Sequence, residues 1–95
     1  MPLFISPGVQ RKLAETHNVT RDEVEECFLN RPPNCPNLTD TRVQHASNPP
    51  TLWFIGHTDR GRALKVVFIP RPDGLHLRTA YEPNSIEQQI YNSNI

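Results

Sequence analysis

The chain has 95 residues, with ten basic and ten acidic side chains and therefore no formal net charge at pH 7. This length allows one small domain over residues 1–95, and 36% hydrophobic residues with 10 prolines favour a folded, loop-rich chain over a disordered one. The neutral balance excludes a uniformly basic protein, and no apolar run approaches the length that crosses a bilayer, so we expect no membrane partner.

The two cysteines, Cys27 and Cys35, are too few for a disulfide framework and lack the paired spacing of a zinc site. The first residues also lack the basic and apolar pattern of a secretion signal. We therefore expect a cytoplasmic protein with no metal and no other cofactor.

Two helices are predicted near the start of the chain. Ser6 is a capping residue before a proline, which predicts a first helix over Pro7–His17. Thr20 and Glu23 have the spacing of a capping box at the start of a second, outwardly acidic helix. Pro32–Pro33 forbids its continuation, so the two helices form a hairpin.

The rest of the chain alternates loops with strand patterns. Arg31–Asn37 is a proline-rich loop, and Asp40–Ala46 is a weakly supported first strand. Leu52–Thr58 and Arg62–Ile69 are rich in branched and aromatic residues and flank a short turn sequence, which predicts a β-hairpin. Leu75–Glu82 is a further strand, entered through an Asp-Gly turn at positions 73–74.

The hairpin's register follows if its loop consists of the three residues Asp59, Arg60 and Gly61. Phe54 then lies opposite Val66, and Leu52 lies opposite Phe68, on an apolar face. The other face mixes aromatic and charged residues and is expected to be open, with Trp53 pointing outward. On the next strand the alternation turns Leu75 and Leu77 inward. The residues expected on the outer face are Trp53, Ile55, His57, Lys65, Val67, His76 and Arg78.

A last helix is predicted from Ser85 and Gln88, which have capping-box spacing, and from an apolar side made of Ile86, Ile90 and Tyr91. The predicted class is α+β. It consists of two N-terminal helices, a mainly antiparallel sheet of three to four strands, and a C-terminal helix.

Several spaced motifs resemble one known family. The N-terminal part has Pro7, His17, Val19 and Phe28, and the hairpin has Ile55-Gly56, Thr58-Asp59 and Gly61-Arg62 with Leu64 and Val66; Ala80, Glu87 and Tyr91 complete the series. In this order they resemble the BrnT family of type II toxins, which are small bacterial ribonucleases with a RelE-like fold.

The resemblance implies a single BrnT-like domain that acts as the toxin of a toxin-antitoxin pair. Such a toxin cleaves RNA without a metal and inhibits translation. Its implied partners are a cognate antitoxin and RNA or ribosome-associated RNA, in a homodimer or a toxin-antitoxin heterotetramer.

The chain also departs from the family pattern. His76 and Tyr81 stand where the family usually has arginines, while Arg78 is at a shifted position, and Asn18 replaces a glycine. Typical members are also more basic. These departures keep open a second reading, a non-catalytic protein-binding module or decayed toxin. A label of dinitrogen reductase ADP-ribosyl hydrolase has no support, because the acidic metal-binding motifs of those enzymes are missing.

Metal-free RNA cleavage requires a base, an acid and cations around the phosphate. We assign the phosphate role to Arg62, Lys65 and Arg78, the acid or base role to His57 or His76, and positioning or proton transfer to Tyr81. Trp53, Arg60 and Arg42 are the candidate RNA-binding residues, Trp53 as a stacking surface. Lys65 and Arg78 are equally compatible with solvated sheet positions. His17 is interpreted as a helix-end or core-edge histidine.

Overall fold

The computed structural model describes residues 2–32, 35–39 and 50–94. Within these residues the class is α+β, with three helices and one five-stranded mixed sheet. The helices are α1 (Pro7–Lys12), which continues as a π-helical turn over Leu13–His17, α2 (Arg21–Leu29) and α3 (Ser85–Asn92). The strands are β1 (Leu3–Phe4), β2 (Leu38–Thr39), β3 (Leu52–His57), β4 (Ala63–Arg71) and β5 (Gly74–Tyr81).

The two N-terminal helices begin as their capping residues predict. The Ser6 hydroxyl accepts the Val9 backbone N–H, and Thr20 and Glu23 form a reciprocal capping box. Between the helices Asn18 has a left-handed φ of 52°, which asparagine adopts more readily than most residues. Both predicted N-terminal helices are therefore confirmed, and the short segment 18–20 joins them.

The sheet has the strand order β1-β5-β4-β3-β2. β1 runs parallel to β5, whereas the other neighbours are antiparallel. The predicted sheet of three to four strands is thus too small. β1 and β2 have two residues each, too few to show the alternation by which a strand is recognised in a sequence. The strand predicted over Asp40–Ala46 lies outside the described residues.

The β3–β4 hairpin has the predicted register. Phe54 pairs with Val66, and Leu52 pairs with Phe68. The Thr58 N–H donates to the Arg62 carbonyl at 2.9 Å, which closes a three-residue loop, and Gly61 in that loop has a φ of 84°. Glycine tolerates this conformation because it has no Cβ.

β5 differs from its predicted geometry in two respects. The turn before it consists of Pro72 and Asp73, because Gly74 already pairs with Arg71 as a strand residue. The strand also contains a bulge, since Val67 pairs with Thr79 while Phe68 pairs with Leu77. Arg78 is therefore the extra residue of the bulge and does not continue the simple alternation from His76.

The core lies between α2 and the apolar face of the sheet. The ring of Phe28 packs edge-on against Phe54 and Phe68, with centroid separations of 5.0 and 5.4 Å. Gly56 on β3 lets α2 lie this close to the sheet, because a Cβ at position 56 would come within 3.1 Å of Cys27 on α2. The side of α2 that carries Cys27 and Phe28 therefore faces the sheet.

The opposite face of the sheet is covered in part by α3, which corrects the expectation that this face is open. Trp53 is only 8% exposed and contacts the buried ring of Tyr91 at 5.7 Å. Ile86 and Ile90, predicted on the helix's apolar side, are 65% and 47% exposed.

The cap of α3 also differs by one residue from the prediction. Asn84, not Ser85, caps the helix, and its capping-box partner is Glu87. Ser85 is the first helical residue. Within the described part of the chain, no helix combines the length and the apolar character that a membrane crossing requires.

Candidate nucleic-acid interface

A groove runs between α1 and β5, and we call it the α1–β5 groove. It consists of two adjoining cavities of about 740 and 350 Å³, both of which are lined by Lys12 and Arg78. Phe4 and His76 line the larger cavity, and the smaller one is lined by His17, Tyr81 and other residues. The two cations thus lie where the cavities meet. The remaining lining residues are Ile5, Ser6, Gly8, Val9, Thr51, Val67, Leu77 and Thr79.

The charges that line this groove are of one sign. Lys12 and Arg78 are cations, and the two histidines become cations when protonated, while no carboxylate lines either cavity. A third cavity, beside the β3–β4 loop, contrasts with it: Asp22, Glu23, Glu26 and Asp59 line it together with Arg60 and Arg62. The two surfaces therefore differ in charge although the chain is neutral, and the α1–β5 groove suits an anionic ligand.

Arg78 lies on irregular backbone, and Lys12 ends a regular helix next to an irregular turn. Arg78 is the extra residue of the β5 bulge, and bulges re-aim side chains. Lys12 precedes the π-helical turn, at whose end His17 lies five residues later. A π-helical turn hydrogen-bonds over five residues, one more than an α-helical turn, so it changes which side chains share a face. Here Lys12 and His17 line the same cavity.

His17 and Tyr81 lie in contact at the smaller end of the groove. Their ring centroids are 5.4 Å apart, with the planes tilted by 34°. The His17 carbonyl accepts a hydrogen bond from Arg62 Nη2 at 3.2 Å, which anchors the helix end that carries this ring. The contact places an imidazole ring against a phenol ring, and both residue types serve in proton transfer.

The Tyr81 hydroxyl belongs to a small polar cluster. It donates to Glu87 Oε2 at 2.7 Å, and Lys65 Nζ lies 2.7 Å from the same oxygen. Burial, together with the bond to Glu87, raises the pKa of Tyr81 above its usual value in spite of the Lys65 charge. The phenol is consequently protonated at neutral pH and is a proton donor.

Glu87 titrates in the opposite sense. Burial by itself would raise its pKa, but hydrogen bonds from Lys65, from the Asn84 backbone and from Tyr81 outweigh burial, and the pKa lies below its usual value. Glu87 is therefore an anion at neutral pH. Its Oε1 completes the α3 capping box at 3.0 Å, so one side chain joins the start of α3 to the sheet.

Lys65 has little exposed surface, although it occupies a strand position on the face away from the core. The side chain is 10% exposed, and its ammonium lies 4.5 Å from the centre of the Trp53 ring and 5.7 Å from that of Tyr81. An ammonium over an aromatic face is attracted by the electrons of the ring. Trp53 and Lys65 are thus near each other, as predicted, but α3 covers them, whereas an open face was expected.

Arg62 is held by groups on three segments. It bonds to Glu23 and Glu82, each at 3.0 Å, and to the carbonyls of His17 and Asn18. Burial acts to lower the pKa of Arg62, but the two carboxylates outweigh it and raise the pKa. This arginine joins the helix hairpin to the mouth of the β3–β4 hairpin.

The other site residues predicted from the sequence are dispersed. His57 is exposed at the end of β3, and Arg60 is at the tip of the β3–β4 loop. His76 lines the groove at the end away from Tyr81, about five residues or 16 Å along β5. Arg42 lies outside the described residues. The structure thus brings together Lys65, Tyr81 and Trp53, and it places Arg78 nearby in the groove.

Sequence reasoning missed Lys12 altogether and gave His17 only a structural role. The sequence signal for His17 was its place in the BrnT-like pattern after Pro7. No comparable signal marks Lys12, because it is an ordinary helix position in the sequence, and the packing of α1 beside β5 brings it to the groove. Among the residues that the structure describes, no cluster of three or more histidine, cysteine or carboxylate groups could hold a metal.

Comparisons with known proteins give no match: no family model, no curated protein and no solved structure is similar to this chain. The resemblance to BrnT-like toxins therefore stays a prediction.

Proposed function

We propose that this protein binds RNA in the α1–β5 groove and cleaves it without a metal, as the toxin of a toxin-antitoxin pair. The observation that carries the proposal is the groove itself, which is lined by two cations and no carboxylate and has His17 and Tyr81 in contact at one end. The toxin role rests on the sequence resemblance.

The phosphate would bind between Lys12 and Arg78, which border both cavities. Arginine suits this role because its guanidinium contacts two phosphate oxygens at once. A cation pair also stabilises the extra negative charge of the transition state.

His17 and Tyr81 would transfer the protons. His17 removes the proton of the 2′-hydroxyl, whose oxygen attacks phosphorus, and Tyr81 gives its proton to the departing 5′-oxygen. The products are a 2′,3′-cyclic phosphate and a 5′-hydroxyl. Because its pKa is raised, the Tyr81 phenol is protonated at neutral pH and cannot be the base.

Arg62 and Lys65 enter this scheme as positioning residues. Arg62 holds the carbonyl of His17, and Lys65 holds Glu87, the partner of Tyr81. Both cations are engaged by carboxylates. This engagement also favours a second candidate function, a non-catalytic module that binds without turnover, because two of the cations assigned to the phosphate are then committed to the fold.

Cleavage of a labelled RNA in the presence of a chelator tests the proposal. We expect cleavage by the unaltered protein, and a loss of about 100-fold or more in His17→Ala and in Tyr81→Phe, as for removal of an acid or base. His57→Ala is the matched control, because His57 is an exposed histidine outside the groove. Thermal unfolding checks that each variant is folded.

Two outcomes would contradict the proposal. Intact RNA at high protein concentration would favour the binding module, and loss of cleavage in His57→Ala but not in His17→Ala would place the site elsewhere. The toxin role has its own test. A toxin is expected to arrest growth when it is expressed, and the product of an adjacent gene is expected to relieve the arrest. Normal growth on expression would contradict the toxin role.

A further inference from the structure

The end of the α1–β5 groove away from Tyr81 contains a stacked pair of rings. The rings of Phe4 and His76 are 4.9 Å apart and 27° from parallel, and both residues line the larger cavity. Phe4 is 41% exposed, one of four large apolar side chains exposed in the described part of the chain. An exposed aromatic ring in a groove that is also lined by cations is the combination with which proteins bind unpaired bases.

The position of this ring pair is set by the surrounding structure. β1 holds Phe4 opposite His76, and the Leu75 N–H donates to the Pro2 carbonyl at 2.9 Å. Gly74 leaves room for the Phe4 ring, because a Cβ on Gly74 would come within 2.8 Å of it. His76 Nε2 lies 2.8 Å from Asp73 Oδ1, which fixes the orientation of the imidazole.

We propose that Phe4 and His76 form a base-stacking subsite for an unpaired nucleotide of the RNA strand whose phosphate lies between Lys12 and Arg78. This inference rests on the proposed function. The ring pair and the His17–Tyr81 contact are at opposite ends of the groove, about 16 Å apart along β5. They therefore contact different nucleotides, and Phe4 is a binding residue outside the reacting centre.

The subsite has a distinct energetic signature. Stacking of a base on an aromatic ring is nearly independent of salt, whereas a cation-phosphate contact weakens as salt rises. Loss of the Phe4 ring therefore weakens RNA binding about tenfold without changing the salt dependence. Loss of the Arg78 charge lowers the RNA affinity and also reduces its salt dependence.

The test measures the affinity of a short single-stranded 2′-O-methyl oligoribonucleotide, which is not cleaved, by fluorescence anisotropy at several salt concentrations. The variants are Phe4→Leu, which keeps an apolar side chain against Gly74 but removes the ring, and Phe4→Ala. Ile86→Ala is the matched control, because Ile86 is an exposed apolar residue outside the groove. A second series of oligonucleotides carries one abasic position at successive sites.

We expect Phe4→Leu to bind about tenfold more weakly with an unchanged salt slope, and Ile86→Ala to bind like the unaltered protein. One oligonucleotide of the abasic series should bind the unaltered protein about tenfold more weakly, the same loss that Phe4→Leu causes. The affinity of Phe4→Leu for that oligonucleotide should equal its affinity for the complete one. If Phe4→Leu binds normally while Arg78→Ala is weakened, the subsite is wrong and RNA binding in the groove stands. If the unaltered protein binds no RNA, the subsite and the proposed function both fail.

Discussion

Glu87 is the residue through which the sheet, α3 and the candidate site are connected. One of its oxygens completes the α3 cap, and the other bonds to Lys65 and Tyr81. Both members of the ion pair are largely buried, with 10% and 17% of the side chains exposed. Breaking such a pair on one side leaves the other charge without its partner, which costs more than the loss of an exposed pair.

Glu87→Gln is therefore expected to lower the free energy of unfolding by about 2 kcal/mol at pH 7. Because the pKa of Glu87 is lowered in the folded protein, its contribution is present above the unfolded pKa of about 4.5 and is lost as pH falls through the lower folded value. The variant should lose less stability in acid than the unaltered protein. Urea unfolding at pH 7 and pH 3.5, followed by the fluorescence of Trp53, measures both effects.

Glu82→Gln is the control for this prediction. Glu82 also pairs with a cation, Arg62, but its side chain is 64% exposed. Exposed pairs contribute under about 1 kcal/mol, so we expect a small change. Equal losses in the two variants would show that burial of the Lys65 pair carries no extra stability.

For single residues, the sequence predicted which side chains lie near each other better than it predicted what surrounds them. Lys65 and Trp53 were expected to share one face, and they are in contact. Tyr81 was given a role but no face, and it lies beside Lys65 as well. Their environment was not predictable, because the cover over that face comes from α3, and pairing patterns within a sheet do not reveal what packs on it. His17 was assigned to a helix end, where it lies, but its contact with Tyr81 depends on tertiary packing.

α3 provides a clear test of element boundaries. Ser85 with Gln88 and Asn84 with Glu87 both have capping-box spacing, and the structure has the second pair. The choice follows from the sheet, because it lets Glu87 meet Lys65 and Tyr91 meet Trp53. A sequence window that contains only the helix lacks this information.

Asn84→Ala is expected to destabilise the protein by about 1 kcal/mol, because the Glu87 N–H loses its acceptor at the helix start. Ser85→Ala is the matched control and should be neutral, since Ser85 is already inside the helix. Urea unfolding of both variants is the measurement. A larger loss in Ser85→Ala would restore the boundary predicted from the sequence.

The sheet shows which elements a sequence reveals. The β3–β4 register followed from alternation and from the glycine of its loop, and it is confirmed. β1 was missed, because two residues carry no periodic pattern, and its pairing with β5 joins the chain's start to a distant strand. The β5 bulge also escaped prediction, although it places Arg78 in the groove.

At the scale of the whole molecule, the cavities of the described residues differ in charge although the net charge of the chain is zero. The cavity beside the β3–β4 loop is lined by four carboxylates and two arginines, whereas the charged side chains that line the α1–β5 groove are the cations Lys12 and Arg78. Net charge alone argues neither for nor against a nucleic-acid ligand, because local potential governs where an anion binds. This difference between the two cavities predicts that Arg78, in the groove, contacts RNA and that Arg60, beside the carboxylates, does not.

Arg78 and Arg60 make this prediction testable, because both are exposed arginines in contrasting surroundings. The decisive measurement is the salt dependence of RNA affinity for Arg78→Ala and Arg60→Ala, with a single-stranded oligonucleotide that is not cleaved. The account predicts that Arg78→Ala weakens binding and reduces the slope of log affinity against log salt by about 0.7, the value for one lost phosphate contact. Arg60→Ala should leave both unchanged. An unchanged Arg78→Ala beside a weakened Arg60→Ala would contradict the assignment of RNA to the α1–β5 groove.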